Sequence, residues 1–261
     1  MGTNGNDAIS PIQPSNKMAL TIGWTNTMKM IRCKEMFGEF NIDPVIAKRK
    51  VPPDYEIRIH PNGKAMLLLM VQDCESCILN NIIRISPMRM AHIWIEIVGP
   101  EEIGPYLPDT TASLPTRYYY ALPHQIDNAL ARFALGIAGI DVQKAKRISL
   151  GGNPGGIRHG MVVEQDEPTS RYSWEEKSTL WQSPNVLTGR RWFYRQYGHI
   201  IKRRSEGLVV CNSSFLGEGE VRLDVDSGSA IGDLGFGTTL YGVMNSVEMK
   251  YCNVRIRVVI R

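Results

Sequence analysis

No apolar run in this chain is long enough to cross a bilayer as a helix. The longest, AMLLLMV from Ala65 to Val71, falls far short of the roughly 20 residues a span requires. The opening MGTNGNDAIS has neither a basic start nor an apolar stretch, so no signal peptide is expected. Asn6 stands where a myristoylation pattern needs Ser or Thr. Cysteine is scarce and odd in number: Cys33, Cys74, Cys77, Cys211 and Cys252. That set fits buried thiols in a reducing compartment better than a disulfide framework. Cys74 and Cys77 have metal or redox spacing, but the ILNNIIRIS that follows reads as strand, not as the helix that lowers a thiol pKa. The five histidines form no paired spacing, so no metal site is expected.

Enzyme signatures are missing too. There is no nucleophile elbow, no paired-histidine metal motif and no dinucleotide fingerprint. The glycine cluster GGNPGGIRHG would need Lys and then Ser or Thr after Gly156 to be a P-loop; it has Ile157 and Arg158, and reads as a loop. DVDSGSAIG places Asp226 in an Asp-Ser-Gly-Ser setting that resembles the aspartic protease motif. That chemistry needs two carboxylates sharing one proton, and the chain has one such motif with little sequence after it. The expectation is therefore a non-enzymatic protein with no catalytic set and no cofactor, a hydrolase using Asp226 being the third reading.

What is present is a globular composition, 43% hydrophobic and 21% charged, with a net charge of +4. The basic character is local. Residues 189–204, GRRWFYRQYGHIIKRR, carry Arg190, Arg191, Arg195, Lys202, Arg203 and Arg204 among four aromatic rings and no carboxylate. Such a stretch suits phosphate or anionic lipid, with rings stacking on bases or entering an interface. An acidic patch from Glu164 to Glu176 precedes it and is the competing partner for those cations.

Residues 1–17, rich in Asn, Gly, Pro and Ser, read as a flexible arm, and residues 18–261 as a single domain. YEIRIH and KAMLLLMV flank an Asn62-Gly63 turn as a hairpin, and NIIRIS, HIWIEIV and EVRLDVD add strands. In HQIDNALARFALGIAG, Ile126, Leu130, Phe133, Ala134 and Ile137 recur at helical spacing and predict one amphipathic helix. The apolar parity of VEMKYCNVRIRVVIR changes part-way, which predicts a β-bulge near Cys252–Asn253. The fold class expected is α+β, a mostly antiparallel sheet with one principal helix.

VPPDY contributes Pro52, Pro53 and Tyr55, a Pro-Pro-x-Tyr pattern that a WW domain can read, although Tyr55 also leads directly into a strand and can simply pack. Together with the polar arm, the mild basic charge and the missing catalytic set, this motif resembles the matrix proteins of negative-strand RNA viruses, the rhabdovirus type in particular. The resemblance implies a self-associating structural protein of the virion and host cell interior. It would bridge RNA or nucleocapsid to an anionic membrane surface and recruit a host WW-domain protein. The closing strand also resembles those of jelly-roll plant-virus coat or movement proteins, which gives the second reading.

Overall fold

The computed structural model describes residues 22–98, 117–137, 141–152, 156–164, 171–181, 187–197, 201–229, 231–232 and 239–260. Within these, the side chains of residues 22–26, 176–218, 244–247 and 249–260 lie outside the description, and so does the expected arm, residues 1–17. In chain order the strands are β1 (Ile22–Ile42), β2 (Ala65–Leu79), β3 (Ile83–Ile85), β4 (Met88–Ile97), β5 (Tyr118–Ala121), β6 (His124–Ile126), β7 (Val142–Gly152), β8 (Ile157–Glu164), β9 (Arg171–Trp181), β10 (Leu187–Tyr197), β11 (Ile201–Val225) and β12 (Thr239–Ile260). Two short helices join them, α1 (Pro44–Lys50) and α2 (Ala129–Ile137).

The sheet closes on itself twice. β4, β6, β7, β8, β9, β11, β12, β1 and β2 form a ring of nine strands. A second, smaller ring runs through β10, β5, β4, β2, β1, β12 and β11. The two share a wall of long strands, and a shared wall must be apolar on both faces. β2 meets that demand with an unbroken buried run from Leu67 to Gln72, and β4 with one from Met90 to Ile97. Alternate residues then enter different compartments. Phe40, Leu67, Leu69, Ile93, Ile95, Ile148, Val162, Tyr172 and Trp174 fill the larger ring. Leu68, Met70, Trp94, Tyr119 and Ala121 pack on the other face, inside the smaller one.

Each end is closed differently. Asp43 caps α1 by accepting from the Val45 amide at 2.7 Å, with Pro44 pre-set for the first turn. Ala47 and Val51 then join the large core. At the opposite end Met28, Met30, Ile85 and Met88 pack under Ala131, Ala134 and Leu135 of α2. This architecture corrects the α+β expectation. A sheet that curls round to bury its own faces leaves no broad face for a principal helix to cover.

The β1–β12 pair holds no extra residue, since its register runs unshifted. An irregularity lies two residues before the predicted place, where β11 shifts against β12 between Asn212 and Ser213 and back by Phe215. In the β1–β12 register Ile31 faces Tyr251 and Cys33 faces Met249, so Arg32 and Lys250 are both skipped. β11 skips Ser214 at the same level, and β2 skips Glu75, whose carboxylate takes Arg32 Nη1 at 2.9 Å. Arg32 adopts φ 47°, a left-handed conformation tolerated where an irregularity re-aims a strand.

The cysteine expectation also needs correcting. Cys33 and Cys74 are register partners on β1 and β2 and form a disulfide, with Cα atoms 4.1 Å apart. An odd total argued against a framework but never forbade one cross-strand pair. Cys77 stays free and buried, and burial pushes its thiol up to about 12, which makes it inert.

Tyr55 is 7% exposed and packs 5.7 Å from the Tyr120 ring, while Pro53 is exposed. Its amide donates to Pro52 O at 3.0 Å, so PPDY is a turn that drives the ring inward. A WW groove requires a projecting Tyr. Burial, then Tyr120 and Asp54, push the Tyr55 phenol from 10.0 up to about 12. Between those values the unfolded chain sheds this proton and the folded chain keeps it, so stability falls as pH rises through that window. Denaturation at pH 9 and pH 11.5 should show wild type losing about 2 kcal/mol more than Tyr55→Phe. An identical loss in both proteins would refute the assignment.

Candidate functional site

Charged groups are costly inside a barrel unless paired, so their places within the smaller ring are informative. β4 carries Glu96 into that ring, opposite Tyr119 of β5 in register. Glu96 is 1% exposed. The segment before β2 lies along β4 through an Ile57–Ile97 bridge and an Arg58 amide donating to Glu96 O at 3.2 Å. The alternation of an extended chain then sets Arg58 and His60 on the Glu96 side. His60 Nε2 donates to Glu96 Oε2 at 2.9 Å, and Arg58 Nε lies 3.5 Å from Glu96 Oε1. Arg117, just before β5, donates to Glu39 Oε1 of β1 at 2.7 Å.

The electrostatics tie these groups together. Burial alone would lower the Arg117 pKa, but Glu39, Tyr119 and Glu96 outweigh it and raise it further above its usual value. Burial pushes the Tyr119 phenol up; Arg117 pulls it back in part, and Glu96 and Glu39 add to the rise. Tyr119 is therefore a neutral donor beside a fixed cation. His60, Arg117 and Glu39 are half-buried, so solvent reaches the outer edge of a cluster whose innermost carboxylate is dry. Deeper in the same ring Trp94 packs against His92, whose Nδ1 is 2.8 Å from Nδ1 of His124.

The larger ring holds a different set. Tyr172 Oη donates to Gln125 Oε1 at 2.6 Å, and the Gln125 amide donates to Glu164. All three are buried, and burial, then Glu164, hold the Tyr172 phenol well above its usual range. At the rim Arg158 Nη2 meets Glu248 Oε1 at 3.2 Å. Tyr172, Gln125 and Glu164 thus form a hydrogen-bonded series in the buried interior, whereas Arg158 keeps a buried Nε without a hydrogen-bond partner.

The basic residues of the sequence analysis are split between two strands. Arg190, Arg191 and Arg195 lie on β10, and Lys202, Arg203 and Arg204 on β11. Arg195 is in register with Arg203, Tyr194 with Arg204 and Gln196 with Lys202. Their side chains lie outside the described residues. Glu164, at the head of the acidic patch, is occupied by Gln125 within the larger ring. Asp226 is half exposed in a turn, accepting from the Arg171 amide at 3.2 Å. GGNPGGIRHG is the β7–β8 hairpin, with Gly152 at φ 93°; residues 153–155 lie outside the description.

Sequence reasoning passed over Glu96, His60, Arg117 and Tyr119. The signal was Glu96 itself, a carboxylate inside the otherwise apolar run HIWIEIV. On a strand buried on both faces, such a residue needs partners from elsewhere in the chain.

No protein-family model matches the chain, and a search of curated proteins finds no match by sequence. Solved structures do share its fold. The enduracididine biosynthesis enzyme MppR complexed with pyruvate superposes with a TM-score of 0.57 at 11% identity, over 94% of this chain and 93% of that one. With HEPES buffer bound, MppR gives 0.56 at 11%, over 98% and 96%. Acetoacetate decarboxylase from Legionella pneumophila subsp. pneumophila str. Philadelphia 1 gives 0.55 at 8%, over 86% of each chain. The chain thus has the acetoacetate decarboxylase-like barrel fold.

This overturns the viral matrix reading and the jelly-roll fold, and it gives the hydrolase reading no support. The expectation of a structural, non-enzymatic protein is overturned too: MppR and acetoacetate decarboxylase, which share this barrel, are enzymes. Placement in a virion loses its only support. No helix among the described residues is long and apolar enough to span a membrane.

Proposed function

We propose that this chain is an enzyme that binds a small oxo acid at the mouth of the smaller ring and moves a proton at the carbon beside the carbonyl. The observation that carries the reading is the dry Glu96 carboxylate holding His60, with Tyr119 and Arg117 alongside. The neighbouring folds supply the substrate class: pyruvate in one MppR complex, acetoacetate in the name of the decarboxylase. The reading rests on proton transfer through the Glu96–His60 pair.

Each group has a role. Glu96 accepts the Nε2 proton of His60 and so leaves Nδ1 as the basic nitrogen, the arrangement by which a carboxylate fixes a catalytic tautomer. His60 Nδ1 takes the proton from the carbon next to the carbonyl, and the electron pair passes to the carbonyl oxygen. Tyr119 donates to that oxygen, and Arg117 adds a fixed positive charge where negative charge develops. Reprotonation of the carbon from His60 closes the cycle.

The test is solvent exchange. In D2O, proton NMR should show the methyl signal of pyruvate, or the methylene of acetoacetate, disappearing faster with enzyme than in buffer. Glu96→Gln should slow this about a hundredfold while the melting temperature stays close to wild type. Exchange no faster than buffer across a panel of 2- and 3-oxo acids would defeat the proposal, and so would an undiminished rate in Glu96→Gln.

A further inference from the structure

Arg158 is a cation taken almost wholly out of water. It is 5% exposed, and on β8 it shares the inward parity of Gly160 and Val162, so its side chain points into the larger ring near one mouth. Burying a guanidinium is costly unless its donors are met. Here they are met in part. Nη2 donates to Glu248 Oε1 at 3.2 Å, while the buried Nε has no hydrogen-bond partner among the described residues.

Beside it lies a cavity of about 10 Å³, room for one water-sized species. Lys34, Met36, Leu150, Gly151, Gly152 and Arg158 line it. Lys34 is exposed and marks the side open to solvent. Both charged residues in this wall are cations, and Glu248 balances one of them. Met36 Sδ is already taken by the Trp174 indole at 3.0 Å, and Leu150 is apolar. The lining side chains therefore present donors and no open acceptor.

We propose that this cavity binds a single monatomic anion, chloride being the abundant one, between Arg158 Nε and Lys34 Nζ. A water placed there would accept from both cations, but its own hydrogens would face thioether and alkyl groups. A halide has no hydrogens to place, and its charge balances the second cation. Size excludes phosphate, sulfate and carboxylates, none of which fits the volume of one water. The bound ion would link β8 to β1 across the mouth of the larger ring. This site is separate from the Glu96–His60 pair and does not depend on it.

Chlorine NMR on the full chain tests this directly. Wild type should broaden the chloride line, and added bromide should narrow it again by competition. Arg158→Lys keeps a cation for Glu248 but has no donor in the place of Nε, and it should lose the excess width. Lys34 is exposed, so Lys34→Met should fold as wild type does while binding chloride at least about tenfold more weakly. Wild type should also melt higher in sodium chloride than in sodium gluconate of equal ionic strength, a difference that shrinks in both variants. A line that wild type leaves sharp would mean that the cavity holds water alone, and would overturn the proposal. So would broadening that both variants retain in full, since the chloride would then be held elsewhere.

Discussion

Leu68→Ala and Leu69→Ala should each lower the unfolding free energy by about 2–5 kcal/mol, measured by urea denaturation. The pair is informative because neighbours on a strand point to opposite faces. In a sheet with one solvent face, one of the two would sit at the surface, where substitutions usually cost within about 0.5 kcal/mol. Here both are fully buried. Leu68, opposite Trp94, packs within the smaller ring, and Leu69, opposite Ile93, within the larger. A near-neutral result at either position would mean that the wall between the rings does not exist in solution.

The second large effect is expected at Gly160, where a single methyl group should cost about 3 kcal/mol. Gly160 is in register with Trp174, and a Cβ there would lie inside the van der Waals envelope of the indole. The ring cannot retreat, since it is buried and its Nε1 sits 3.0 Å from Met36 Sδ across the larger ring. Glycine is required here for space, not for its backbone freedom. Gly160→Ala should therefore be partly rescued by Trp174→Leu. The double variant should lose less than the two single losses combined, by about 1–3 kcal/mol. Strict additivity would show that the two residues do not meet.

Much of the secondary structure was legible and the closure was not. AMLLLMV and HIWIEIV read correctly as strands, and the parity change in the last strand announced an irregularity close to its true position at Lys250. The unbroken apolar runs carried more than was taken from them. A strand without alternation is buried on both faces, and in an antiparallel sheet that requires a second compartment. Periodicity alone does not say what lies on each face. For the same reason α2 was found but its stripe was only partly right: Ile126 and Ala134 are buried, together with Ala131 and Leu135, whereas Leu130, Phe133 and Ile137 are exposed. The site was hidden by distance along the chain. Glu39, His60, Glu96 and Arg117 share no local motif, and only the register of β1, β4 and β5 assembles them. The basic stretch drew attention because its charges are adjacent in sequence, while the cluster in the smaller ring is adjacent only in space.

The pairing of β1 with β12 has a consequence for biogenesis. Ile22 lies opposite Ile260, so the first described strand must hold its place until the last one has been synthesised. During translation the edges of β1 and β11 that face β12 stay unpaired, with every other strand already made and no closing partner. Chains with such remote contacts fold slowly and are prone to clump while they wait. Ribosome-stalled chains lacking β12 should accordingly be protease-sensitive along their whole length and should bind holdase chaperones, whereas release of the finished chain should confer resistance in a single step.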